Sequence, residues 1–114
     1  VSTLPDTPEC RGLIAPEAMK EGAVLINVGR GATIDEDAIL RAARSGRIHA
    51  VLDVFAREPL PPDHPFWTEP NITVTSHLSG LTRPAEAVEY FVANLRRLER
   101  GEPLVGVVDR SRGY

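Results

Sequence analysis

The run Ala23-Val-Leu-Ile-Asn-Val28, broken at once by Gly29-Arg30-Gly31, constrains this chain most. A nearly continuous apolar run of strand length, closed by turn residues, predicts a strand buried on both faces, as in parallel sheets. Two further apolar runs follow, one from about Ile48 to Val54 and one over Ile72-Thr-Val-Thr75. Between the first two, Asp35 or Thr33 can cap a helix from about Glu36 to Ser45, which Gly46 ends. Its apolar positions, Ala38, Ile39, Ala42 and Ala43, form a narrow stripe. Strand, ten-residue helix and strand make a βαβ unit, which predicts parallel pairing with a right-handed crossover. The predicted class is therefore α/β.

The flanking segments read as follows. Val1-Ser-Thr-Leu-Pro5 has the character of a strand end running into a loop, so the chain is expected to start in the middle of a domain. Pro5 and Pro8 remove backbone donors and predict a loop. Ala15 to Lys20 fits a single helical turn, with Pro16 near its start and Gly22 closing it. Arg57 to Pro70 is rich in proline and predicts an ordered irregular loop, pinned by Phe66 and Trp67. The longest element is a helix from about Pro84 to Arg100, where Ala87, Val88, Phe91, Val92, Leu95 and Leu98 recur at three- and four-residue steps. Gly101 ends it, and the tail from Glu102 to Tyr114 reads as extended.

Composition narrows the function classes. With 114 residues, 42% hydrophobic and 25% charged, the chain suits a small globular domain. A net charge of −3 with scattered arginines predicts no nucleic-acid partner. No apolar run approaches a membrane span, so no membrane partner is expected. The single cysteine, Cys10, excludes an intrachain disulfide and fits an inert thiol in a reducing cytoplasm. There is no CxxC, HExxH or other metal-ligand cluster, and no Gly-x-Gly-x-x-Gly.

Three polar residues lie at or just after the carboxyl ends of the predicted strands: Arg30, Glu58 and His77. In an open parallel sheet those ends share one edge, and ligands bind there. The Arg30 fork can hold a carboxylate through two parallel hydrogen bonds. A carboxylate such as Glu58 beside an imidazole fixes its tautomer and favours its charged form. His77 suits general acid–base work near neutral pH. Each also has a plainer reading: a surface arginine after a turn, a solvated loop glutamate, a loop histidine. His49, at the opposite edge, reads as structural, and His64, in the proline loop, as solvent-facing. Asp53 closes the middle strand, where it either caps the following loop or bonds the amide of a bound nicotinamide.

Taken together, several stretches resemble the D-isomer-specific 2-hydroxyacid dehydrogenases, in order and spacing. They are Leu4-Pro-Asp-Thr-Pro-Glu-Cys-Arg-Gly-Leu13, Met19 to Gly31, Leu52-Asp-Val-Phe55 with Glu58-Pro59, His64-Pro-Phe-Trp67, and Pro70-Asn-Ile-Thr-Val-Thr-Ser-His77. Gly101-Glu-Pro-Leu104 and Val108-Asp109 resemble the family's C-terminus, and Arg112-Gly-Tyr114 leans toward its glyoxylate/hydroxypyruvate reductase branch.

The resemblance implies the C-terminal half of a doubly wound, Rossmann-type parallel-sheet nucleotide-binding domain over 1–83. Residues 84–114 would then be a C-terminal helix and tail returning toward a substrate domain. It implies NAD or NADP as cofactor and a small 2-oxo or 2-hydroxy acid as substrate, in a homodimer. Arg30 would bind the substrate carboxylate and keto oxygen, Glu58 would pair with His77, and His77 would protonate the keto oxygen as hydride arrives. Leu4, Pro5, Thr7, Asn27, Val28, Gly29, Arg30, Asp53, His77, Ser79 and Gly80 would line the cofactor, with Asp53 on the nicotinamide carboxamide; no metal is implied. Ser76 stands where the family usually has proline, which would loosen that loop slightly. The family's glycine-rich phosphate loop has no counterpart here, so these 114 residues alone are expected neither to catalyse nor to bind NADH tightly. The alternative is a corepressor of the same fold, in which the dinucleotide controls partner binding.

Overall fold

The computed structural model describes residues 1–113, so the contribution of Tyr114 to the terminal Arg-Gly-Tyr motif lies outside the described residues. The chain forms two compact units, Val1–Ser79 and Gly80–Tyr114.

The first unit holds a three-stranded parallel sheet in the order β1 (Ala23–Asn27), β2 (Ile48–Leu52), β3 (Ile72–Val74). Ala23 pairs with Ile48 and Asn27 with Leu52; Ala50 pairs with Ile72 and Leu52 with Val74. All three strands therefore end on one edge. Ser2 adds a parallel bridge to Asn27, its N–H donating to Ile26 O at 2.7 Å and its carbonyl accepting Val28 N–H at 3.0 Å. The opening residues thus make one isolated bridge and then run into a loop.

Helix α1 (Glu36–Arg44) joins β1 to β2. Asp35 caps it by accepting Ala38 N–H at 3.0 Å, so Asp35 rather than Thr33 is the cap. At its far end Gly46 adopts φ +72°, Gly46 N–H reaches Ala43 O and Arg47 N–H reaches Ala42 O. That left-handed glycine closes the helix and satisfies two end carbonyls. Arg47 then donates to Met19 O at 2.8 Å and Glu17 O at 3.3 Å, tying the 3-10 turn Pro16–Ala18 to the start of β2.

The core lies between the sheet and α1, where Leu25, Ile39, Ala43, Ile48, Ala50, Leu52 and Ile72 are buried together. The sequence predicts β1 buried on both faces. Instead Leu25 and Asn27 point inward while Val24 is 57% exposed and, on β2, His49 is exposed. Side chains alternate across a strand, and α1 covers only one set.

In the proline-rich loop a 3-10 turn, Pro65–Trp67, buries Phe66. Trp67 does not pin the loop to the core as predicted. It is 52% exposed, and its indole N–H donates to Pro61 O at 2.8 Å. His64 is not solvent-facing either: its ring packs edge-on against Phe66, with centroids 4.4 Å apart, and its Nδ1 accepts Phe66 N–H at 3.4 Å.

In the second unit α2 spans Pro84–Glu99, with Pro84 in its first turn and Gly101 (φ +70°) past its end. The tail does not simply extend. Asn94 accepts Val105 N–H at 2.9 Å and donates to Val105 O at 3.1 Å, and Tyr90 also donates to Val105 O. Asp109 then opens a turn that receives Arg112 and Gly113 N–H.

Candidate active site

The β1 exit is shaped from inside. The buried Asn27 side chain accepts Gly29 N–H at 3.2 Å and donates to Arg30 O at 3.2 Å, while Thr33 Oγ1 donates to the same carbonyl at 2.7 Å. These bonds fold the chain sharply after the strand and leave Arg30 exposed at the edge. Its guanidinium donates to Gly29 O at 2.7 Å. Gly29 has no room for a side chain, since a Cβ there would lie 2.6 Å from Leu4 O. The Leu4 segment therefore seats directly on the β1 exit. Thr7, buried nearby in sequence, turns the loop by accepting Cys10 and Arg11 N–H through its carbonyl.

The β2 exit carries Asp53 and then Phe55 to Glu58. Glu58 Oε1 accepts Phe55 N–H at 2.9 Å and Oε2 meets His77 Nδ1 at 2.7 Å. Burial pushes the Glu58 carboxyl up. The hydrogen bonds from His77 and Phe55, with the positive charges of His77 and Arg30, outweigh it and leave the group below its ordinary value. Arg30 makes no direct bond to this pair, yet its charge reaches Glu58.

The β3 exit carries His77, the one non-glycine residue at positive φ among the described residues, at +52°. A β-carbon strains there, so the surroundings must hold it. Asp53 does much of that holding. Its buried carboxylate accepts Leu78 N–H at 3.1 Å, Ser79 N–H at 2.9 Å and the Thr75 hydroxyl. Burial raises this group, but the Thr75, Ser79 and Leu78 donors dominate and hold it well below the usual carboxylate range. Of the two readings of Asp53, loop capping is the one its contacts display. The same bonds restrain the loop behind Ser76, where proline is missing.

With Nδ1 turned to Glu58, the half-exposed His77 ring leaves Nε2 as the nitrogen available to a ligand. Beside the pair lies a cleft of about 440 Å³, lined mainly by Phe55, Leu60, Trp67 and Val74 with Glu58 and His77. Ser79 closes the first unit and Gly80 opens the second. Sequence reasoning missed Thr75 as the partner of Asp53. No local signal marks it: only the pairing of β2 with β3 sets Thr75 beside the end of β2, where its N–H reaches Leu52 O.

A family model described as D-isomer specific 2-hydroxyacid dehydrogenase, NAD binding domain, matches residues 1–79. The chain belongs to this dehydrogenase family. Among solved members, the D-isomer specific 2-hydroxyacid dehydrogenase of Xanthobacter autotrophicus Py2, crystallised with NADPH and MES, is 47% identical. The match has a TM-score of 0.89 and covers 98% of this chain and 48% of that one. The family member from Aeromonas salmonicida is 43% identical over 94% of this chain and 36% of its own, with a TM-score of 0.84. An NADPH-dependent glyoxylate/hydroxypyruvate reductase of Sinorhizobium meliloti, crystallised with NADP and sulfate, is 36% identical. Its TM-score is 0.90, over 98% of this chain and 38% of that one. The chain thus spans half or less of these dehydrogenases, and the three-stranded parallel sheet is a fragment of their Rossmann-type domain.

Proposed function

We propose that the protein containing this chain reduces 2-oxo acids to D-2-hydroxy acids with NAD(P)H, and that Arg30, Glu58 and His77 carry the chemistry. The observation that bears most weight is the 2.7 Å contact between His77 Nδ1 and Glu58, at the sheet edge that also bears Arg30. The residues at this edge suit the nicotinamide end of such a cofactor. The Leu4 segment and the Val28–Gly29 backbone form its wall, and the Asp53 carboxylate is the acceptor available to its carboxamide N–H. When bound, the nicotinamide supplies the hydride.

The protein's own residues do the rest. Arg30 holds the substrate carboxylate and directs the keto group toward His77. His77 Nε2 donates the proton that the reduced oxygen needs, and the carboxylate of Glu58, held at Nδ1, orients the ring for that transfer. In the reverse direction the same nitrogen takes the hydroxyl proton. The likeness to the Sinorhizobium reductase favours small substrates such as glyoxylate and hydroxypyruvate.

Steady-state oxidation of NADPH and NADH by the full-length protein, with glyoxylate, hydroxypyruvate and bulkier 2-oxo acids, tests this reading. Arg30→Ala and His77→Ala are each expected to lower kcat/KM by about 100-fold or more. Near-normal turnover in both variants would remove these roles. Dinucleotide binding without turnover on any 2-oxo acid would turn the reading toward the corepressor alternative.

A further inference from the structure

Glu36 stands in the first turn of α1, where a carboxylate is already favoured by the helix dipole. Its contacts are more particular than that role requires. Oε1 accepts Ala56 N–H at 2.8 Å, twenty residues along the chain, and Oε2 faces His64 Nε2 at 3.9 Å. Its side chain is only 20% exposed. Ala56 sits in the turn that delivers Glu58. The neighbouring amide, Phe55 N–H, is held by Glu58 itself, whose other oxygen holds His77. Gly31, next to Arg30, presses on the same turn so closely that a Cβ would lie 1.9 Å from the Phe55 carbonyl carbon. The segment bearing Arg30 and the segment bearing Glu58 are thus joined twice, by bare backbone contact at Gly31 and by the Glu36–Ala56 hydrogen bond.

We propose that Glu36 is a positioning residue for the Arg30–Glu58–His77 set, fixing through Ala56 the turn from which Glu58 reaches His77. This rests on the function proposed above. A tie and a dipole partner make opposite predictions. The tie needs reach and an acceptor oxygen, and it needs no charge. Glu36→Gln keeps both reach and acceptor. Glu36→Asp keeps the charge and suits a helix N-terminus, but it shortens the side chain by one methylene.

The two variants in the full-length protein separate these accounts by two readouts. One is the downfield proton that His77 Nδ1 shares with Glu58, seen by NMR with 15N-labelled histidine. The other is kcat against the KM for NADPH, with glyoxylate as substrate. Glu36→Asp is expected to broaden or shift the His77 proton and to lower kcat roughly tenfold or more, leaving the KM for NADPH little changed. Glu36→Gln is expected to stay near wild type in both. Any other pairing overturns the proposal, whether both variants are normal, both are impaired, or only Glu36→Gln is impaired. If the wild-type protein turns over no 2-oxo acid, the proposed function fails, and the His77 proton alone still decides the role of Glu36.

Discussion

Helix α1 buries Ala38, Ile39, Leu40, Ala42 and Ala43 among its nine residues, whereas α2, with sixteen, buries none. Both carry apolar residues at helical spacing. In α1 that stripe meets β2 and the neighbouring strands, and Ile39 and Ala43 are wholly excluded from solvent. In α2 Val88, Phe91, Leu95 and Leu98 are exposed by 60%, 66%, 43% and 63%. Periodicity says that a helix has a face to bury; it says nothing about whether the covering surface lies within the same stretch of chain. The family match ends at residue 79, short of α2. The sheet edge bearing the candidate site belongs to the part whose interior is closed.

The contrast can be broken most sharply at Ile39. Ile39→Ala is expected to cost about 4 kcal/mol, because the residue is fully buried and the backbone around it cannot collapse far. Urea unfolding that showed a loss under about 1 kcal/mol would mean that α1 is no better packed than α2.

Next is Gly31→Ala, expected to cost about 3 kcal/mol, since the added methyl meets Phe55 backbone and has no flexible side chain to displace. It should also separate Arg30 from the turn carrying Glu58 and so lower turnover. A variant of unchanged thermal stability would show that this junction is looser than its geometry.

Asp53→Asn probes the polar half of the same unit, with an expected cost of about 2 kcal/mol from impaired bonds to Leu78, Ser79 and Thr75. Its pH dependence has a definite sign. The folded-state carboxyl lies below its ordinary value of 3.8, so the carboxylate's contribution is fully present above that value and fades as pH falls through the folded one. The gap between wild type and Asp53→Asn should therefore hold steady above about pH 5 and narrow in acid. A gap that widened below pH 4 would contradict the assignment.

The smallest effect is expected on α2. In the 114-residue chain Phe91→Ala should change stability by less than about 0.5 kcal/mol. A loss approaching that of Ile39→Ala would mean that the face is covered after all.

Much of this was legible in the residues. The three strands, both helices and the Gly46 stop follow from local chemistry, and the parallel pairing of β1 with β2 follows from the helix between them, while the choice of Asp35 over Thr33 as cap belongs to the structure. Shared strand ends were enough to bring Glu58 and His77 into one candidate set. The rest depends on contacts between distant segments. The sequence leaves Asp53 as a cofactor contact or a loop cap, and its three donors reach it only when β3 lies beside β2. Phe66 and Trp67 are adjacent aromatics with opposite fates, and no local signal separates them. The loop around His64 points it to solvent, yet its ring packs edge-on against Phe66. Glu36 marks only the start of a helix in the sequence, and its bond to Ala56 N–H exists only in the folded chain.

By itself the sequence determined the α/β class, the order of elements and the residues offered to the carboxyl edge. Hydrophobic period, caps and turn residues act within a few positions, and their physics is complete at that range. Only the tertiary structure decided that one face of the sheet is covered, that Glu58 meets Nδ1 of His77, and that Asp53 and Glu36 brace the turns behind them. The carboxylate contacts depend on polar groups left over after local hydrogen bonding, and which carboxylate reaches each one is set by how segments about twenty residues apart come to lie together.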